Sequence, residues 1–364
     1  MDKKLKIAIL FGGRSTEHEI SLLSAQNVIK SLDPSKYEAV LIGIDKSGKW
    51  YFNDDSLKLL NDTDAKTIAL GNTSQPVLIS QNAGEKTLIS SQTGQSLAKI
   101  DVIFPVLHGS FGEDGSVQGL ARLANIPCVG CDVLGSAVGM DKDIMKRILR
   151  DAGIPVAKWM TQRKSAERLK YSELTAKLGN EIFIKPANLG SSVGVSHVKN
   201  QKAYDEALSY ALEFDPKVII EEQIIGREIE CAVLGNHNPQ ASLPGEVIPR
   251  DQFYSFENKY LDEKGAILKT PAELDENQIR DVQKVAIDCF TVLECRGMAR
   301  VDVFLQEDGR IVVNEINTIP GFTNISMYPK LWEVSGLDQT SLISRLIDLA
   351  IEHHTEQNAL RLKA

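Results

Sequence analysis

Apolar runs alternate with amphipathic stretches along this chain, and two such runs flank Asp308-Gly309. From Arg300 to Asn317 the order R-V-D-V-F-L-Q-E-D-G-R-I-V-V-N-E-I-N alternates as a half-buried β-hairpin does, and Asp-Gly favours a two-residue type I′ turn. A tight turn sets the register: Glu307 faces Arg310, Asp302 faces Glu315, and Arg300 faces Asn317. These last four side chains then share one side of the sheet, with Phe304 and Val313 beneath them.

The same patterning places other elements. Lys6 to Phe11 is a buried strand that ends in Gly12-Gly13, and Ile20 to Leu32 has helical periodicity with Ser21 as its cap. Tyr37 to Ile44 and Trp50 to Phe52 are strands around a Lys46–Lys49 turn; polar sequence with short strands follows as far as Lys99. Asp101 to Leu107 is a buried strand that leads into a Gly-rich loop bearing His108 and Glu113, before a helix near Val117. A helix over Asp141–Asp151 opens a second domain, followed by a strand over Ile182–Pro186 and the Gly/Ser loop Ala187–Val195. Strands over Lys217–Ile220 and Ile229–Leu234 bracket Glu221, Glu222 and Glu228. Phe253 to Tyr260 reads as a mobile lid, Asp275–Leu293 as a helix of a third domain, Thr318–Pro329 as a non-helical loop, and Thr340–His353 as a closing amphipathic helix.

A length of 364 residues implies two or three domains, and 43% hydrophobic with 25% charged residues excludes a disordered chain. A net charge of -8 without a basic run excludes a polyanion-binding surface, so nucleic acid is not an expected partner. The first apolar run is too short for a signal segment and no stretch reaches membrane-spanning length, so a cytoplasmic protein without membrane attachment is expected. Of five cysteines only Cys128 and Cys131 have C-x-x-C spacing; with no second pair to complete a zinc site, buried thiols are expected.

Chemistry enters at the hairpin. Opposed carboxylates repel, so Asp302 against Glu315 calls for a cation. Oxygen ligands suit Mg²⁺ or Mn²⁺ completed by substrate phosphates, which makes a nucleoside triphosphate the expected partner. A solvated polar face in which Arg300 bridges one acid is the alternative. Lys185 at a strand end before a Gly/Ser loop is equipment for phosphate. Glu17 and Glu19 beside a Gly turn would deter phosphate and suit an amine.

The segments F-G-G-R-S-T-E-H-E-I-S-L, H-G-S-F-G-E-D-G-S-V-Q-G-L, M-D-K, K-P-A-N-L-G-S-S-V-G-V, E-C-A-V-L-G-N, F-E-N-K-Y, G-M-A-R-V-D-V-F and N-E-I-N-T-I-P-G-F-T resemble, in order, those of the ATP-grasp enzymes and among them the D-alanine:D-alanine ligases. The resemblance implies an α/β chain with α+β elements in a three-domain ATP-grasp architecture. An open parallel α/β domain (1–140) would precede two α+β domains (141–225 and 226–364) that clasp ATP. It implies ligation of two D-alanine molecules through an acyl phosphate, with ATP and two Mg²⁺ (or Mn²⁺), in a homodimer that serves peptidoglycan synthesis.

Residue by residue, the resemblance makes Asp302, Glu315 and Asn317 metal ligands. Arg300 and the Gly321 amide become oxyanion donors, Glu17 the holder of the first substrate's ammonium, and Ser326 the receiver of the second substrate's carboxylate in a pocket lined by Met327. Lys142, Lys185 and Lys259 match phosphate contacts, Glu221 an adenine-side contact and Glu228 a ribose contact; His108 and Glu113 match second-shell or substrate-side positions. Ser191 and Tyr260 complete a set with Glu17 that favours a dipeptide product. The alternatives are a depsipeptide ligase that takes D-lactate and a non-catalytic nucleotide-binding module. Leu189 departs from members that carry an acidic residue in the Ser loop.

Overall fold

Strand β1 (Leu5–Gly12) buries Ile7 through Phe11 completely. A strand without polar alternation belongs at the centre of a sheet covered on both faces. It pairs in parallel with β2 (Tyr37–Ile44) on one side and β7 (Val102–Val106) on the other. The computed structural model describes residues 3–52, 75–82, 84–249 and 266–361. Lys259 and Tyr260, with the lid expected around them, lie outside the described residues.

The first sheet runs β6-β5-β4-β3-β2-β1-β7, adding β3 (Trp50–Phe52), β4 (Gln75–Ile79), β5 (Thr87–Ser90) and β6 (Ser96–Lys99). It is parallel only across β2-β1-β7, and its other strands pair antiparallel. α1 (His18–Ser31) covers one face with Leu22, Ala25 and Val28, and α2 (Ser116–Leu123) the other with Val117 and Ala121. The larger of these side chains, Leu22, Val28 and Val117, each contribute roughly 1.5–3 kcal/mol when fully buried.

α1 begins three residues before Ser21, so Ser21 is not its cap. The Ser21 hydroxyl instead accepts from the Gly12 N–H at 2.7 Å and donates to the Val106 carbonyl, which stitches the helix to the ends of β1 and β7.

α3 (Val133–Met140) and α4 (Lys142–Asp151) lead to a four-stranded antiparallel sheet, ordered β10-β9-β11-β8, of β8 (Trp159–Arg163), β9 (Ile182–Pro186), β10 (Ser196–Val198) and β11 (Lys217–Glu222). Leu174 and Leu178 of α5 (Tyr171–Leu178), with Tyr204 and Leu208 of α6 (Gln201–Phe214), pack in its core.

The third sheet comprises β12 (Arg227–Gly235), β13 (Gln240–Ala241), β14 (Gly245–Pro249), β15 (Ala266–Lys269), β16 (Gly297–Leu305) and β17 (Ile311–Asn317), in the order β15-β14-β12-β16-β17 with β13 beside β12. α7 (Glu276–Val292) opens on a capping box between Asp275 and Gln278 and packs on one face. α8 (Met327–Val334) and α9 (Gln339–Ala359) fill the space between the other face and the first sheet. α8 takes the end of the expected loop into a helix, because Pro329 sits in its first turn, where a missing N–H costs nothing. Met327, at the start of α8, is buried in this core.

The hairpin has the expected Arg300–Asn317 and Asp302–Glu315 pairs, reached by a different route. The turn is a three-residue loop in which the Gln306 N–H donates to the Arg310 carbonyl at 2.9 Å, and Gly309 takes the left-handed conformation at φ +83°. That loop would slip the register by one, and it does so as far as Val303–Val313, leaving Phe304 opposite Val312. A bulge at Asn314 restores it, so two one-residue offsets cancel at Asp302.

Candidate active site

A cavity of about 350 Å³ opens between the second and third sheets. Phe183, Val195, Ile229 and Phe304 line it on apolar sides, and Lys142, Lys185, Glu228, Asp302 and Glu315 supply its charge. α4 starts at Lys142 because the Asp141 carboxylate accepts from the Asp143 and Ile144 amides as its cap. Helical spacing then sets Lys146 four residues on, on the same face.

The two lysines do different work. Lys142 Nζ donates to the Leu189 carbonyl at 2.7 Å and lies 3.2 Å from Glu315, so it links the Ser loop to the hairpin. Lys146 is buried and stands 2.6 Å from one Glu221 oxygen, while Lys185 stands 2.7 Å from the other. Burial pushes Glu221 up, but the two ammonium groups outweigh it and hold the carboxylate down at about 2. Burial lowers Lys146 in spite of Glu221; for Lys185 the same burial is overcome by Glu221, and the net shift is upward. Lys185 also donates to the Asn314 side chain at 3.2 Å, so the bulge residue serves the cavity.

This chain of charge is testable through Lys146→Met. Glu221 would be left with Lys185 as its main counter-ion, so the phosphate contact expected of Lys185 should weaken and the Michaelis constant for the expected nucleotide should rise. Breaking the buried pair lowers stability by about 3 kcal/mol near neutral pH. The folded value of about 2 lies below the ordinary 4.5 of Glu221, so its contribution is complete above that ordinary value and is lost as pH falls toward the folded one. Urea unfolding should therefore show a deficit at about pH 3 that is roughly half or less of the one at about pH 7. Equal deficits at both would remove Glu221 from the account.

Behind two of the cavity's lining acids, Arg300 donates to both Asp302 oxygens, at 2.7 and 2.6 Å, and stands 3.0 Å from Glu230. Glu230 lies directly opposite Asp302 in the β12–β16 ladder, and Arg300 separates the two buried acids. The salt bridge that sequence left open as an alternative is thus present. Glu230, Lys146 and Asn314 are site residues that sequence reasoning missed. Glu228 and Glu230, two apart on a strand, carried the signal for one face, and Lys146, four after Lys142, carried it for one helical face.

Asn317 Nδ2 donates to Asp302 at 3.0 Å, which turns its oxygen to the other side. Among the described residues no group of three or more His, Cys, Asp or Glu side chains surrounds a metal position. The protein's share would be two carboxylates and one amide oxygen, all hard donors, with phosphate and water to complete the shell. That set fits Mg²⁺ or Mn²⁺.

Glu17 reaches the site from the first sheet. Its buried carboxylate accepts from the Ser191 hydroxyl, and a Cβ at Gly109, φ +74°, would stand 2.8 Å from its Oε2, so glycine is needed there. Ser191 and Ser192 both hold the left-handed conformation, at φ +53° and +59°, a strained turn that folds the Ser loop over the cavity. Glu19 does not join Glu17; it pairs at the surface with Lys46 at 2.5 Å.

Glu113 accepts from the Gly109 N–H at 2.9 Å and the Ile319 N–H at 3.2 Å; burial, and then Glu17, push it up to about 8. Gly321 is half-buried, and the Ser326 hydroxyl accepts from the Thr323 N–H at 2.9 Å. The five cysteines are free thiols, and burial pushes Cys128 up to about 12. No described helix is long and apolar enough to cross a membrane.

Two α+β sheets that close on a lysine-lined cleft, with a third α/β lobe at its end, give the chain the ATP-grasp fold. Sequence profiles described as D-ala D-ala ligase N-terminus and D-ala D-ala ligase C-terminus match residues 6–131 and 148–348. The chain is 51% identical over 359 residues to a D-alanine:D-alanine ligase of Oceanobacillus iheyensis, covering 98% of each. The solved D-alanine:D-alanine ligase of Coxiella burnetii is similar at TM-score 0.85 and 42% identity, covering 98% of this chain and 97% of that one. The VanG D-Ala:D-Ser ligase of Enterococcus faecalis is similar at TM-score 0.85 and 39% identity, covering 96% and 100%. The chain belongs to the D-alanine:D-alanine ligase family and is a ligase.

Proposed function

We propose that this enzyme joins two molecules of D-alanine at the expense of ATP and supplies the dipeptide to cell-wall synthesis. The observation that carries this reading is convergence: Glu17 meets Ser191 at one end of a cleft whose other walls are Lys142, Lys185 and the Asp302–Glu315 hairpin.

In the first step a carboxylate oxygen of one D-alanine attacks the γ-phosphorus, the bond to the bridging oxygen breaks, and ADP leaves. In the second the neutral amine of another D-alanine attacks the acyl carbon. The tetrahedral adduct expels phosphate, the nitrogen loses its proton, and an amide remains. Glu17 holds the first substrate's ammonium, and Ser326 receives the second substrate's carboxylate. Arg300 and the Gly321 amide stabilise the oxyanion, a role worth about 3–4 kcal/mol per donor in comparable sites.

Lys142 and Lys185 bind phosphate oxygens, as does Lys259. Glu228 takes the ribose, and Glu221 bounds the adenine side while its carboxylate steadies Lys185. Two Mg²⁺ (or Mn²⁺) held by Asp302, Glu315 and Asn317 would neutralise charge on the transferring phosphoryl group. We also take residues 1–140, 141–225 and 226–364 as the domains, since each holds one sheet, and the working form as a cytoplasmic homodimer.

The test is mass detection of products from ATP, Mg²⁺ and mixtures of D-alanine with D-serine or D-lactate. Alanyl-alanine as the main product, with phosphate release that needs D-alanine and ignores L-alanine, is expected. A D-lactate ester as the main product would move the enzyme to the depsipeptide ligases and implicate Tyr260. Phosphate release without stimulation by D-alanine would end the reading.

A further inference from the structure

The segment that carries Gly321 is gripped from outside at both ends. Just before it, the Ile319 N–H donates to Glu113 at 3.2 Å and the Ile319 carbonyl lies 3.1 Å from His108 Nδ1. Just after it, the Phe322 N–H donates to Ser24 Oγ at 3.2 Å and the Phe322 carbonyl accepts from Asn27 Nδ2 at 2.9 Å. Both backbone groups of both residues are thus held by side chains of the first lobe. A carbonyl can only accept, so His108 carries its proton on Nδ1, and Nε2, 3.0 Å from Ser24 Oγ, accepts the Ser24 hydroxyl proton. Burial keeps that imidazole neutral. Ser24 is left with a lone pair for Phe322, so the ring and the hydroxyl act as one unit.

Ser24 and Asn27 belong to the helix that Glu17 opens. At 1.5 Å rise and 100° per residue, positions seven and ten beyond Glu17 lie within about 80° of one another and roughly 10 and 15 Å along the axis. That helix is fixed in turn by Ser21 to Gly12 and Val106. We infer that α1 is a rigid spacer setting the distance between Glu17 and the Gly321 amide, with Ser24 and Asn27 as the positioning residues that grip the far end. The inference rests on the roles given above to Glu17 and Gly321. Proline at 320 has no N–H to anchor the turn itself, so its orientation depends on the flanking residues.

The test is the double variant Ser24→Ala/Asn27→Ala beside Ser24→Thr and Glu17→Gln. Misplacing a catalytic donor by a fraction of an ångström should lower kcat about 10- to 100-fold. ATP binds at the opposite wall, so its Michaelis constant should stay within about twofold, and Ser24→Thr should keep most of kcat. Should the double variant fail to fold, Asn27→Asp has the same volume and sets a carboxylate against the Phe322 carbonyl; it should show the same split. Loss of activity only in proportion to loss of folded protein would overturn the spacer. Unchanged kcat in the double variant, beside a Glu17→Gln enzyme that has lost activity, would overturn the spacer and leave the site standing. Unchanged kcat in both would overturn the site and the spacer with it.

Discussion

Glu315→Gln should reduce turnover by about a thousandfold or more while the protein stays folded. The change is isosteric and removes one negative charge from a side chain that reaches the cavity at 19% exposure. Its present partner, Lys142, keeps the Leu189 carbonyl at 2.7 Å, so little stability is at stake. A partly exposed pair of this kind contributes about 0–1 kcal/mol, and the melting temperature should move by no more than a few degrees. Catalysis loses far more, because charge neutralisation at a phosphoryl group is worth several kcal/mol and each 1.4 kcal/mol is about tenfold in rate. The Mg²⁺ concentration for half-maximal rate should also rise. Near-normal turnover, or a lower rate with unchanged Mg²⁺ dependence, would take the hairpin out of the chemistry.

How much of this was legible depends on the range of the contact. The Asp302–Glu315 pair was read correctly although the turn was not, because the three-residue loop and the Asn314 bulge offset each other. Nothing in Asp308-Gly309 distinguishes the two routes: Gly309 accepts the left-handed conformation in either. The helix from Asp141 and the strand with Lys185 were local patterns, and they hold the cavity's cations as expected. The Lys146–Glu221–Lys185 chain was not seen: Glu221 was expected at the adenine side alone, and nothing local marks Lys146 as buried. Their burial together, 2.6 Å apart, arises only in the tertiary fold. The grip on Ile319 and Phe322 joins residues 206 to 298 positions apart, and no periodicity encodes that. Ser21 shows the converse: its type suggested a cap, and tertiary contacts claimed it for the sheet.

Arg300→Met should have the largest combined effect, and a second substitution should separate its two parts. Arg300 is buried between two acids that face each other across β12 and β16, donating twice to Asp302 and standing 3.0 Å from Glu230. Methionine matches the aliphatic stem but leaves two buried carboxylates opposed, a loss of about 3–5 kcal/mol in urea unfolding. Turnover should fall by at least about a hundredfold, as for removal of an oxyanion donor. Adding Glu230→Gln to that variant removes one of the opposed charges, so it should recover about half or more of the lost stability. It supplies no cation aimed at the reacting carbonyl, so turnover should not return. Recovery of turnover along with stability would mean that Arg300 only holds the acids apart, and that the oxyanion is stabilised elsewhere. Stability regained with catalysis still absent is the expected pair of results, because in the proposed mechanism the guanidinium that neutralises Glu230 and Asp302 also directs a positive charge at the substrate.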